Sequence, residues 1–323
     1  MDNIDQYVSC LRNVYYYIIQ DKIISCVYLE NIIKSQPFHS IIYMKKTILL
    51  LLTICCAYFS VNAQFGAYYD SAKTVKPFKI FDNLYYVGNE PVSAYLLTTN
   101  DGLILIDALY GKFPAHILEA VRELGFDPMK IKYILCTHGH FDHCEGADTL
   151  KKITHARIGM TEADWQIAEG KVKNDYASVN TRLTRDWVIH DGDSLKLGNT
   201  IIKFYVTPGH TMGVLSMAFP VRDNNKTYQA FSFGGVGLNF TGVHQTELYL
   251  QSVERIQKMN GIEVNVSNHP QPGKIFQRAA KLKMRQPGEP NPFVAPDDFQ
   301  IWLKDLHEQA EKKLAEEKAK PAS

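Results

Sequence analysis

The chain has 323 residues, enough to bury a real core as one large domain or two small ones. Hydrophobic residues make up 46%, charged residues 21%, and the net charge is +1. With no long Lys/Arg run before the C-terminus, these values suit a soluble globular protein and argue against a nucleic-acid surface or a polybasic membrane patch. Residues 44–63 read MKKTILLLLTICCAYFSVNA: two lysines, an apolar run, then Val61-Asn62-Ala63. That is the layout of a secretory signal peptide cleaved before Gln64. The apolar run of about 15 residues falls short of the ~20 a spanning helix needs. Ile54 and Cys55 precede Cys55 and Cys56, so neither cysteine has the small neighbour of a lipoprotein site. Residues 1–43 stand in front of this segment, rich in Tyr and Ile. Translation is expected to start at Met44, which makes 1–43 a start-site extension outside the fold. The mature domain is then 64–323.

From Phe78 the pattern alternates. Residues 79–89 and 92–102 read as strands ended by Asn or Gly turns, and 103–111 as a short apolar strand with Asp107 at its end. FPAHILEAVRELG follows with Ile117, Leu118, Val121 and Leu124 at helical spacing and Gly125 where a C-terminal glycine belongs. Residues 132–138 form a buried strand that runs into CTHGHFDHCEG. Helices are predicted at 145–153 and 161–170, and strand, turn, strand at 187–210, ending at His210. Strands follow at 214–221 and 227–235, a helix at 246–259, and a strand at 261–269 ending at His269. From Asp297 a last helix carries Phe299, Trp302, Leu303, Leu306, Ala310 and Leu314 on one face. No repeat or Pro/Gly/Ser linker divides the mature chain. The reading is one α/β domain, two β-sheets packed together with helices outside.

Positions 138–143 hold three of the chain's 11 histidines and one aspartate. His210 and His269 each follow a predicted strand end as well. Imidazole with one carboxylate and no thiolate is a common ligand set for catalytic zinc. His138 and His140 lie two apart and point the same way on an extended segment. Gly139 between them lets the backbone turn tightly. Asp142 and His143 are adjacent, face different directions, and suit a second ion. Cys136 and Cys144 flank the motif. A disulfide between them would distort the loop, so two thiols are expected. The GDSL at 192–195 is a turn between strands rather than a serine-hydrolase nucleophile, and His190 before it is structural. Trp165, Trp187 and Trp302 belong to core or rim. His244 and Tyr228 are weaker pocket candidates. Asn268, beside His269, donates a hydrogen bond either toward substrate or within its own loop.

THGHFDH, with TPGHT and a late NHP, resembles the metallo-β-lactamase superfamily. YYVGN, LILIDALYG, HDGDSLKLG and PGHT follow in that family's order, and the likeness runs from about Pro77 to the last helix. It implies an αββα sandwich of two mixed sheets flanked by helices. It also implies two Zn2+ per chain. His138, His140 and His210 would bind the first, Asp142, His143 and His269 the second, with Asp107 beneath them fixing imidazole tautomers. Thioesterase and lactonase members carry an aspartate after a later strand and other lactamase subclasses a cysteine. Here Gly234, Gly235 and Val236 stand there, which is similar to subclass B3. Members of B3 often carry serines in this stretch for the substrate carboxylate, where this chain has Gly235 and Gly237. Met212-Gly213 also replaces the commoner proline-glycine after PGHT.

The resemblance therefore implies a metal-dependent hydrolase that opens a β-lactam ring by attack of zinc-bound hydroxide, with Asp142 orienting the hydroxide and relaying its proton, and the signal-peptide layout adds that it is exported. The alternatives are a lactonase or thioesterase on the same scaffold, or a zinc-binding protein without turnover. The partner expected is a small-molecule substrate, with no nucleic acid and no membrane anchor after cleavage. The location expected is the periplasm or the exterior.

Overall fold

In the computed structural model, residues 69, 71–174, 176 and 182–320 are described. The signal-peptide and start-site expectations for 1–63 lie outside them. A seven-stranded mixed sheet holds, in chain order, β1 (Phe78–Phe81), β2 (Leu84–Tyr86), β3 (Tyr95–Thr99), β4 (Gly102–Ile106), β5 (Ile131–Leu135), β6 (Arg157–Met160) and β7 (Trp187–Val188). The first four pair antiparallel and the rest parallel. The second sheet runs β12-β11-β10-β9-β8, from β8 (Ser194–Leu197), β9 (Thr200–Val206), β10 (Leu215–Asp223), β11 (Lys226–Ser232) and β12 (Val264–Asn265). Only β12 is parallel to its neighbour.

The sequence pattern explains the layers. β4 is apolar and buried along almost its whole length, as a strand covered on both faces must be. β9 alternates, burying Ile202 and Phe204 while Ile201 and Lys203 face out. Ile202, Phe204, Leu215, Met217 and Phe219 meet Ile80, Leu97, Ile104 and Leu135 in the core between the sheets. On the outer face of the first sheet, α1 (Phe113–Glu123), α2 (Phe141–Cys144), α3 (Ala147–Thr154) and α4 (Glu162–Ala168) build a second core around Leu103, Leu105, Ile134 and Trp165. On the outer face of the second sheet, α5 (Val243–Gln257) and α7 (Pro296–Lys318) bury Tyr249, Val253, Ile256, Phe299, Leu303 and Leu306 against Phe231 and Phe233. This is the αββα sandwich expected. No described helix is long and apolar enough to cross a membrane.

The differences are local. Residues 79–89 form a hairpin, because Asp82-Asn83 makes a turn and Asn83 is held there by Pro220 O at 3.1 Å. The stretch 187–206 divides between the sheets: β7 closes the first, and β8 opens the second. Of 261–269 only Val264 and Asn265 form a strand; Val266 still donates its N–H to Phe231 O of β11 at 3.0 Å, and the chain then leaves the sheet and runs to His269. Helix α6 (Ile275–Met284) and the one-turn α2 were not anticipated. Gly125 sits just past α1 with φ +85°, as expected.

A candidate metal centre at the end of the sandwich

The first sheet supplies most of the site. Ile106 of β4 lies opposite Leu135 of β5, so Asp107 and Thr137 emerge side by side. Asp107 adopts φ +60°, a conformation aspartate tolerates better than most residues. Its Oδ1 accepts the Thr137 N–H at 2.7 Å, and its Oδ2 accepts the Thr137 hydroxyl at 3.0 Å and His143 Nδ1 at 2.8 Å. Helix α2 starts right after His140 and turns Asp142 and His143 into the interior. Gly139 is needed for space rather than for backbone freedom. Its φ is not positive, but a Cβ there would lie 2.7 Å from Asp164 O and 2.9 Å from Ile167 Cβ. The loop is clamped against α4.

The second sheet supplies single residues and carbonyls. His210 follows β9 and directs Nδ1 to Gly237 O at 2.8 Å; His269 follows β12 and directs Nδ1 to Pro91 O at 2.7 Å. Gly234, just past β11, accepts His138 Nδ1 at 2.8 Å, so a first-sheet ligand is held by a second-sheet carbonyl. A Cβ on Gly235 would lie 2.8 Å from His210 Cβ, and one on Gly237 2.6 Å from Asn239 Oδ1 and 3.2 Å from His210 Cε1. The lack of a side chain at Gly235 gives His210 its room.

All six ligand candidates converge. His138 Nε2, His140 Nδ1 and His210 Nε2 lie 3.1 to 3.2 Å from one another. His143 Nε2 lies 3.3 Å from His269 Nε2 and 3.4 Å from Asp142 Oδ2, and His269 Nε2 lies 3.9 Å from that oxygen. His138, His140 and His210 form one candidate ion-holding group, and His138, Asp142 and His143 another. The acceptors behind the rings decide the tautomers. Carbonyl or carboxylate oxygens face Nδ1 of His138, His143, His210 and His269, so each neutral ring carries its proton there and turns a bare Nε2 lone pair inward. Lone pairs this close repel unless a cation lies among them. The donor set therefore fits a divalent metal.

Protonation follows the same logic. Burial, reinforced by the neighbouring imidazoles, lowers the pKa of His138 and His140, and burial lowers that of His210 to about 4. These rings are neutral, the state a metal requires. Burial also depresses His143, but the Asp142 and Asp107 carboxylates outweigh it and its pKa is raised. Burial pushes Asp142 up, and the surrounding histidines more than offset this, leaving it lowered. His138, His140 and His143 are the floor; His210 and His269 are half-buried and form the open side.

Reading the sequence missed Tyr69, whose hydroxyl donates to Asp142 Oδ2 at 3.3 Å while its ring packs edge-on against Tyr110 and Phe141. Nothing near it in sequence signals this contact. Thr137 was also missed, and so were the roles of the Gly234, Gly237 and Pro91 carbonyls, because backbone carbonyls leave no trace in residue type. The two cysteines are buried free thiols, with pKa values pushed up by burial. Residues 191–193 turn, with the Asp193 carboxylate accepting the His190 N–H. Trp165 is core and bonds Trp187 O. Tyr228 packs on Phe81 at the other end of its strand, and His244 is exposed at the start of α5.

The family model of the metallo-beta-lactamase superfamily matches residues 87–223. Over this segment the chain is similar to the metallo-beta-lactamase superfamily. Its structure is similar to that of BJP-1, a subclass B3 metallo-beta-lactamase of Bradyrhizobium japonicum. That likeness has 28% identity and a TM-score of 0.70, over 76% of this chain and 96% of that one. In sequence it is similar to the probable polyketide biosynthesis zinc-dependent hydrolase BaeB of Bacillus velezensis, 28% identical over 44% of this chain. It is also similar to a hydroxyacylglutathione hydrolase of Cereibacter sphaeroides, 26% identical over 53% of this chain. The matched segments span 56% and 60% of those two relatives.

Proposed function

We propose that the chain is a member of the metallo-beta-lactamase superfamily, a zinc-dependent hydrolase that opens a β-lactam ring. The observation that carries the metal reading is the set of inward lone pairs with their tautomers locked from behind. His138, His140 and His210 would hold one ion, and Asp142, His143 and His269 a second. Held there, divalent ions supply Lewis acidity that brings the pKa of water toward about 7 and polarises a carbonyl. The chain's own residues do the rest. Asp107 and the Gly234, Gly237 and Pro91 carbonyls keep the imidazoles oriented. Asp142, steadied by Tyr69, orients the attacking water and carries its proton to the leaving nitrogen. The buried floor excludes bulk water, so substrate enters past His210 and His269.

The β-lactam reading is supported by the likeness to a B3 enzyme across nearly all of that enzyme's length. The sequence likeness to polyketide and hydroxyacylglutathione hydrolases favours a second reading, a thioester or lactone substrate on the same residues. A third outcome is zinc binding without turnover. The test is zinc content per chain with hydrolysis of a penicillin, a cephalosporin, a carbapenem, an acyl-homoserine lactone and a glutathione thioester, with and without chelator. Chelator-sensitive opening of the β-lactams is expected. Turnover of the lactone or thioester alone would overturn the first reading, and two bound zincs without turnover would support the third.

We further propose translation from Met44, cleavage after Ala63 and residence in the periplasm or outside the cell. N-terminal sequencing of the native precursor and mature protein tests this; a precursor containing residues 15–17 would sink the start-site assignment.

A further inference from the structure

A buried polar chain runs beneath both histidine groups. It starts at His143, passes through Asp107 to the Thr137 hydroxyl, and continues to Asn268, whose Nδ2 lies 3.5 Å from Thr137 Oγ1. The same Nδ2 donates to Gly234 O at 2.8 Å, the carbonyl that also takes the Nδ1–H of His138. Asn268 is therefore turned away from substrate. Its backbone carbonyl accepts the Ser93 N–H at 2.9 Å, and the next residue is His269. Asn268 is 1% exposed, and its Oδ1 is buried without a hydrogen-bond partner. A carboxamide half unpaired in the interior is destabilising, and an apolar side chain of similar shape would avoid that cost. A buried polar group of this kind in a native structure calls for a role that explains it.

We propose that Asn268 is a positioning residue that couples the two metal groups. Its side chain holds the Gly234 carbonyl in the orientation that sets the His138 ring. Its main chain places His269 in the other group. Loss of the side-chain bond to Gly234 O frees the His138 ring and also untethers the loop at residue 268 that carries His269, and so loosens an imidazole on each side. The inference rests on the metal-hydrolase reading.

The test compares the full chain with Asn268→Leu and Asn268→Ser. Stepwise zinc affinities are measured by competition with a chromophoric chelator, cobalt spectra report ligand geometry, and thermal unfolding is followed on the metal-free protein. Both variants are expected to weaken both zinc steps by about 10- to 100-fold. They are also expected to alter the cobalt absorption. The metal-free Leu variant should melt no lower than wild type; should it fail to fold, the shorter Ser variant carries the affinity test. Weakening of one step alone would overturn the coupling. A lower melting temperature with unchanged affinities would mark Asn268 as merely structural. A wild-type chain that takes up no zinc overturns the metal reading and this inference with it, whereas two zincs bound equally by wild type and variants overturn this inference alone.

Discussion

The two sheets contribute to the site in different ways. The first sheet delivers His138, His140, Asp142 and His143 on one short buried loop, braced by Asp107 and clamped on α4. The second sheet delivers His210 and His269 from separate loops, each half-buried and each held by one carbonyl. The first half is rigid by local bonding; the second is accurate only if the sheets pack correctly. The lesson is that binding strength and access are divided. On the proposed function, the floor would set the ions and the rim would give substrate its way in.

This division can be broken from either side. His138→Ala is expected to have the largest effect, because His138, proposed as a ligand of the first ion, also lies within ligand distance of Asp142 and His143 beside the second. Zinc content should drop at both sites and hydrolysis should fall to background; one zinc retained at full affinity would contradict the shared role. On the rim, His269→Ala should lower occupancy of the second ion far more than the first. Stoichiometry by competitive chelation reads this, and equal loss at both sites would refute the ligand grouping. Tyr69→Phe removes only the hydroxyl from Asp142 and leaves the aromatic packing. The expected loss is about 1 kcal/mol, roughly fivefold in affinity for the second ion, with little change in melting temperature. Full-strength binding in that variant would show that Asp142 needs no outside support.

The smallest effect is on pH dependence without metal. The pKa of His210 is lowered to about 4 in the folded chain, against 6.5 for an unperturbed ring. The unfolded chain then binds more protons between those values, so stability of the metal-free protein falls as pH drops from about 6.5 to about 4. Unfolding in chelator across that range measures it. A His210→Asn variant with the same slope would assign the effect elsewhere.

Much of this was legible in the chain. The buried runs of β4 and β5 place Asp107 and the histidine loop at strand ends, and the alternation in β9 marks a sheet with one covered face. Residue type and a spacing of two already make His138 and His140 partners. What was hidden has a common cause. Gly139 and Gly235 look like flexible positions, yet each is small because a neighbour from elsewhere in the chain occupies the space. Asn268 looks like a donor for substrate, yet its amide is spent on Gly234 O. Tyr69 lies 73 residues from the aspartate it touches.

The sequence by itself determined the kind of site: imidazoles and one carboxylate, without thiolate, concentrated in six positions that have little other use. Chemistry of that sort depends on residue identity and short spacing, and both are written locally. The tertiary structure alone decided the tautomers, the shared place of His138, the room around His210 and the network through Asn268. Each depends on a carbonyl or a void brought from a distant strand, and a carbonyl has no letter of its own.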